Sequence, residues 1–410
     1  MSDPKGSPET TFGQRLRNHR ERSGKTRAVL GGLVGRSEEW VRAVETGRLR
    51  MPRLPMLIRL AQVLGVDDLG ELTGGQSVGV DRVAFAQHPA VPGIRDVAQR
   101  YTLRRPDRPV APLSVLRSRV DQAWGVWHGS RTRRSDVGAL LPALLSDCQD
   151  AALATDGDDR RAVHSVLADT YHLAQHVLVN AAEPELLWLV VERGMAAAHV
   201  ADEPLALAGA AWTVGMLLRG AGRAGEALTL VDEAAELLEP RLSEAEDDWA
   251  GMWGALRLHA AATAARAGRD AQAWSYWDQA AEAARRLPAG YAHSWTMFSQ
   301  ANVDLTAVSL TVDLWKSREA LRRAESIEPA TIPSRERRGR LYVEMARGYH
   351  AAGERIATTR LLLAACDEGV DAVRYSPAAS AILDDLRASP PRSIRADVQA
   401  LTSRVGLESA

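Results

Sequence analysis

Three short stretches carry residue types that do chemistry in other proteins. Ser23-Gly24-Lys25-Thr26 is the tail of a phosphate-cradling loop, in which backbone amides and a lysine surround a pyrophosphate. His172 and His176 stand one helical turn apart, the spacing of two zinc ligands. Gly75-Gln76-Ser77-Val78-Gly79 spells the G-x-S-x-G of a nucleophile elbow. Each motif needs a context that its neighbours deny. The phosphate loop requires a first glycine where His19 stands, and a buried strand where "FGQRLRNHRER" reads as amphipathic helix. The histidine pair lacks a third ligand and the Glu of H-E-x-x-H. The elbow lies in a glycine-bearing connector with no strand before it. Cys148 and Cys366 fit no metal-ligand spacing and read as buried, reduced thiols. No Ser-His-Asp, paired-carboxylate or Cys-His arrangement stands out, so the expectation is no catalysis, no cofactor and no metal.

The elements that must carry these residues are helices. The chain has 410 residues, 46% hydrophobic and 25% charged, which suits a globular protein too long for a single core. Its net charge of −1 excludes a uniformly basic nucleic-acid binder, so any basic surface must be local. No apolar run approaches the length of a membrane span, and the N-terminus lacks the apolar core of a signal peptide; the expectation is a cytoplasmic protein. Lysines occur only at 5, 25 and 316, and arginine supplies the remaining basic residues; with abundant alanine this suggests a bacterial coding sequence rich in G and C. Helical periodicity broken by short Gly, Pro or Asp turns runs through almost the whole chain, and no alternating apolar run argues for a sheet. The expected fold is all-α: residues 1–11 disordered, 12–75 a compact basic domain, 76–112 a linker with one short helical pattern, and 113–410 a helical array.

Within 12–75, "RAVLGGLVGRSEEWVRAVETGR" answers the steric demands of a helix-turn-helix. Gly31 is small where two helices touch, and Gly35 permits the tight turn. Leu30, Val34, Val41 and Val44 anchor both helices, Ser37 caps the second, and Glu38 and Glu39 suit its dipole. A fourth helix over Arg53–Leu64 and a fifth around Asp67–Leu72 follow. Residues 11–60 hold eleven arginines and Lys25 against four glutamates, a local excess of about eight positive charges. Residues 12–72 resemble the XRE/Cro-type helix-turn-helix domain in helix lengths, turn glycine, Glu45-x-Gly47 and fourth helix. The resemblance covers about 15% of the chain. It implies a double-stranded DNA operator as partner, with Ser37, Glu38, Glu39, Arg42, Ala43 and Thr46 facing bases. Arg27 and Arg36 stand where that family usually has a polar residue and an aliphatic one. Together with Lys25 they read as neighbours of DNA phosphates. Two acidic residues opening the reading helix either accept from cytosine N4 or only cap the helix.

Downstream, residues 208–240 form two helices joined at Gly222–Gly225, with small residues at the approach. Against the tetratricopeptide pattern, Gly215, Leu218, Ala227, Val231 and Ala234 take expected positions and Pro240 falls one place late. The alanine slot recurs at 227, 273, 320 and 357, in steps of 46, 47 and 37 residues, so the repeats are degenerate. Stacked pairs build a concave α-solenoid. An XRE-type domain followed by such an array resembles peptide-sensing regulators of the Rgg/PlcR kind. That resemblance implies a homodimeric regulator of transcription with a peptide or small-molecule effector in the concave face. Ten of the eleven tryptophans lie in the array. Candidate lining residues are Tyr171, His172, His176 and Asn180; Tyr291, His293, Trp295 and Asn302, with Asp304 nearby; and Tyr349 and His350. The competing reading places these rings between repeats as core. A different class of function, a tetratricopeptide interaction scaffold with a secondary DNA-binding domain, fits the same layout.

Overall fold

A computed structural model of the protein describes residues 11–49, 51–52, 54–66, 69–74, 88–107, 109–181, 184–242 and 246–406. The G-x-S-x-G stretch, most of the expected N-terminal disorder and Arg53 lie outside these residues. The chain divides into two units, Met1–Ala86 and Gln87–Ala410, and all regular structure among the described residues is helical.

The first unit holds α1 (Phe12–Arg22), α2 (Arg27–Val34), α3 (Glu38–Glu45), α4 (Leu54–Leu64) and α5 (Leu69–Thr73). Side chains cap its first three helices. Thr11 and Gln14 close a reciprocal capping box on α1, Thr26 accepts from the Val29 amide, and Ser37 accepts from the Trp40 amide. Gly35 ends α2 at φ 69°, a left-handed turn that a side chain would strain. A Cβ on Gly31 would stand 2.7 Å from the Arg36 carbonyl oxygen, so the close approach of α2 to the turn requires glycine there. The core joins Leu16, Leu30, Val34, Val41 and Val44 to Leu57, Leu60, Leu64 and Leu72. Burying one such side chain is worth about 1.5–3 kcal/mol.

The second unit begins inside the stretch read as a linker. α6 (Val91–Ala98) buries Val91, Ile94 and Ala98 in the larger core, so its apolar face belongs to the array and not to a connector. Antiparallel pairs follow: α7 (Leu113–Gly129) with α8 (Arg133–Ala154), α9 (Gly157–Leu178) with α10 (Pro184–Ala201), and α11 (Pro204–Gly220) with α12 (Ala224–Leu238). They continue through α13 (Asp247–Arg266) with α14 (Asp270–Arg286), α15 (Gln300–Asp313) with α16 (Ser317–Glu325), and α17 (Arg335–Ala351) with α18 (Arg355–Glu368). α19 (Asp371–Arg374), α20 (Pro377–Ala388) and α21 (Arg395–Arg404) finish the chain. This is an α-solenoid of helical hairpins. The small-residue slot is buried at Ala227, Ala273 and Ala320, each the fourth residue of its helix. The fourth repeat departs from the expected register: α18 starts at Arg355, so Thr358 fills the slot and Ala357 is only half-buried.

The first helix of each pair packs on the first helix of the next, and α17 also packs on α7. His128 Nδ1 of α7 lies 3.0 Å from Ser334 Oγ, which caps α17. The six first helices therefore surround an interior instead of lining an open groove.

Candidate nucleic-acid interface and the array interior

α3 presents one polar face. Glu38, Glu39, Arg42 and Thr46 are exposed, Ala43 is half-buried, and Val41, Val44 and Glu45 point into the core. The Thr46 hydroxyl donates to the Arg42 carbonyl at 2.8 Å, which fixes its methyl and oxygen at the end of that face. Ser37 is exposed, but its hydroxyl oxygen is engaged as the cap. Arg36 lies over the Trp40 ring, 5.7 Å from its centroid, so a half-buried tryptophan shapes the approach of this guanidinium. Glu38 and Glu39 occupy the first turn, where the helix dipole favours negative charge.

Two residues read as phosphate neighbours have structural duties. Arg27 Nε meets Glu45 Oε2 at 2.7 Å, and Arg20 Nε meets Glu45 Oε1 at 2.5 Å. The Glu45 side chain is 1% exposed, a buried carboxylate clamped between two guanidiniums. The hydrogen bond that Arg20 donates to Glu45 holds its guanidinium above its ordinary pKa. Lys25 is half-buried, and its carbonyl accepts from Arg20 Nη1 at 2.9 Å. The Ser-Gly-Lys-Thr stretch is thus the joint between α1 and α2, held by the same arginine. The Arg20–Glu45–Arg27 triad was missed in sequence; Glu45-x-Gly47 was its only visible trace. Exposed Arg36, Arg42 and Arg48 remain free of ion pairs among the described residues, flanking or following α3.

In the array, four of the residues expected along a groove, His172, His176, His293 and Trp295, meet inside the molecule. The segment between α14 and α15 carries Trp295 into the interior, 8% exposed. Its ring lies 5.4 Å from His172, 6.4 Å from His176, 5.7 Å from His293, 5.7 Å from Trp124 and 5.5 Å from Trp212. Tyr171 is also buried, and its hydroxyl accepts from Gln149 Nε2 at 2.9 Å. These rings pack because the first helices leave a space between them that the chain's own segment fills. The rest are dispersed. Tyr291 donates to Asp248 Oδ1 at 2.8 Å; Asn180 sits in the turn after α9 at φ 57°; half-buried Asn302 opens α15; half-buried Tyr349 and His350 end α17.

Burial sets the chemistry of the histidines. The pKa falls to about 3 at His176 and to about 4 at His128 and His293. His176 Nδ1 reaches the His172 carbonyl at 2.9 Å, a contact that suits a neutral imidazole donating its proton. No group of three metal-ligating side chains occurs among the described residues. Both thiols are buried, with pKa pushed up to about 11, which suits inert core cysteines. Neutral buried histidines bind fewer protons than the unfolded chain once pH drops below about 6.5. Their stabilisation is therefore complete above that value and is lost as pH falls toward 4. Each such histidine contributes a slope of up to about 1.4 kcal/mol per pH unit. The melting temperature of the array is expected to fall between pH 7 and 5, and His176→Phe to flatten that fall. A melting temperature constant over this range would contradict the buried neutral assignment.

No helix among the described residues is long and apolar enough to cross a membrane. No curated protein matches the chain. Residues 11–72 match the family model of a helix-turn-helix domain, and they contain the whole of the exposed α3 face and its capped, glycine-turned scaffold. The protein carries a helix-turn-helix domain, followed by an array whose regular structure among the described residues is helical.

Proposed function

We propose that the protein is a sequence-specific regulator of transcription. In this reading α3 enters the major groove of an operator, and a homodimer supplies two such helices for a palindromic site. The carrying observation is the polar face of α3 on a helix-turn-helix scaffold, with unpaired Arg36 and Arg42 beside it. Arg42 and one of Glu38 or Glu39 read base edges, Thr46 closes the reading face, and Arg36 and Lys25 neutralise phosphates. Arg27 serves mainly to hold Glu45. The helical array, tetratricopeptide-like in its hairpins and small-residue slots, receives a peptide or small-molecule effector that changes the grip on DNA, as the Rgg/PlcR likeness implies. The protein acts in the bacterial cytoplasm.

Selection of bound fragments from the source genome, followed by gel shift, tests this reading. The wild-type chain is expected to enrich a palindromic element. Arg36→Ala with Arg42→Ala is expected to weaken binding at least tenfold and to reduce the salt slope by about one to two. Failure to enrich any element, with and without cell extract, would falsify the regulator and favour the interaction scaffold.

A further inference from the structure

Residues 288–298, between α14 and α15, are built as a separate piece of the array. Their backbone bonds close within the piece. The Tyr291 amide donates to the Pro288 carbonyl, the His293 amide to the Phe298 carbonyl and the Met297 amide to the His293 carbonyl, each at 3.0 Å. The Trp295 and Thr296 amides turn to His293 Nδ1 at 3.5 and 3.4 Å, and the Phe298 amide to Thr296 Oγ1 at 3.3 Å. Among the described residues no backbone amide of the piece donates to a helix of the array. Two hydrogen bonds tie it to the helices, from Arg337 Nη2 of α17 to the Thr296 carbonyl and from the Tyr291 hydroxyl to Asp248 Oδ1 of α13, both at 2.8 Å. Gly290 at φ 82° and Met297 at φ 55° bracket the buried stretch, and at Met297 that left-handed backbone is strained. Loops almost always run over the surface, and a compact one packed by its own side chains is frequently functional.

The helices receive this piece in shape but not in polarity. α11 and α13 lack side chains where it enters. A Cβ at Gly251 would collide with the Tyr291 hydroxyl, one at Gly254 with the Phe298 ring, and one at Gly209 would stand 3.2 Å from the Trp295 ring. Trp295 lies against His172, Trp124 and Trp212 at 5.4, 5.7 and 5.5 Å between ring centroids. Yet His172 Nε2 and Trp124 Nε1 are buried without a hydrogen-bond partner among the described residues. Leaving such atoms unanswered is costly, and an occupant with polar groups at the edge of its ring can answer what an indole face does not. On the other side Pro288, Ala289, Gly290 and Ser294 are exposed, so the piece sits at the rim and can withdraw outward with α14 and α15 intact.

We propose that residues 288–298 are a removable strap. They fill the binding site of the array, and an effector that carries an aromatic ring enters by taking the place of Trp295 against His172, Trp124 and Trp212. Departure of the strap releases Arg337, so entry is felt on α17, the helix that packs on α7. The proposal gives a chemical class and a mode of entry to the effector of the regulator reading, and rests on that reading only for its biological meaning.

Two measurements on the full chain test it. In hydrogen exchange resolved to single amides, the bonded amides of His293 and Met297 are expected to exchange at least a hundredfold faster than amides in the middle of α13 and α15. Protection equal to those helices overturns the strap, since the piece is then ordinary core. The second measurement titrates a synthetic peptide of residues 288–299, and its copy with alanine in place of tryptophan, onto the wild type and Trp295→Ala. Trp295→Ala is expected to bind the first peptide saturably, one per chain, and at least tenfold tighter than the wild type, whose own tethered segment competes at an effective concentration of about millimolar. The alanine copy is expected to bind neither chain. Saturation with the peptide is expected to speed exchange at His293 and Met297 of the chain, because the strap has left. Three results overturn the proposal: no saturable binding to Trp295→Ala, equal binding of the alanine copy, or binding that leaves those two amides as protected as before. Should Trp295→Ala not fold, Trp295→Phe keeps a ring and is expected to show the same order with a smaller gain; no gain there is equally fatal. A chain that behaves in this way but binds no DNA sinks the regulator and leaves the strap standing.

Discussion

Glu45→Ala is expected to unfold the N-terminal domain. The substitution leaves Arg20, 8% exposed at its side chain, as a buried guanidinium with its main carboxylate gone, and frees Arg27 as well. Breaking a buried pair from one side costs about 3–5 kcal/mol, which approaches the whole stability of a small domain. Hydrogen exchange by mass spectrometry reads this directly. Peptides from 12–72 are expected to lose protection in the variant, while peptides from α7 to α18 keep theirs. The operator binding proposed above is expected to disappear with the fold. Glu45→Gln, which keeps the shape and can still accept a hydrogen bond, is expected to fall between the two. Protection equal to the wild type in Glu45→Ala would mean that Arg20 finds solvent easily, and that the triad contributes little.

Trp295→Ala carries the second large effect, and it acts on the other unit. Five rings lie within 6.4 Å of this indole, from α7, α9, α11 and its own segment. Truncating a buried aromatic side chain costs about 3–5 kcal/mol through lost transfer energy and the cavity left behind. Gly209 adds a constraint: a Cβ there would stand 2.9 Å from His172 and 3.2 Å from Trp295, so the wall has no side chain that can swing into the gap. Urea titration of the array, followed by far-ultraviolet circular dichroism, is expected to show a large drop in midpoint. Trp295→Phe, which keeps an aromatic face, is expected to lose less than half as much. A midpoint within error of the wild type would show that the segment rests on the interior without supporting it.

Local rules explain why the helix-turn-helix was legible. A capping Ser37, a turn at Gly35 and a small Gly31 each act within a few residues of themselves, so spacing alone exposes them. The same locality explains the failures. Arg27 is paired with a residue eighteen positions later, and no periodic pattern announces that contact. Gly13 has no local signature either, although a Cβ there would meet the Glu45 carbonyl oxygen at 2.5 Å, because only the folded domain brings α1 against α3. In the array, alternation of helix and turn was visible, and so was the small-residue slot, within one residue. Its closure was not. His172 and His176 have the composition of a groove and the burial of a core, and what decides between them is a segment more than a hundred residues away.

The contact between α7 and α17 also bears on how the chain is made. Ser334 and His128 are 206 positions apart, so the first hairpin leaves the ribosome long before the helix that covers it. At about 5–20 residues per second the delay is roughly 10–40 s. For that time the face of α7 around His128 has no closing wall, and the growing array is an open arc. An ordinary stack of hairpins tolerates truncation from its far end, because each repeat leans only on its neighbours. Here a nascent chain that stalls before α17 strands the α7 face around His128 at its opposite end, which makes the partial product a ready client for chaperones or a nucleus for aggregation.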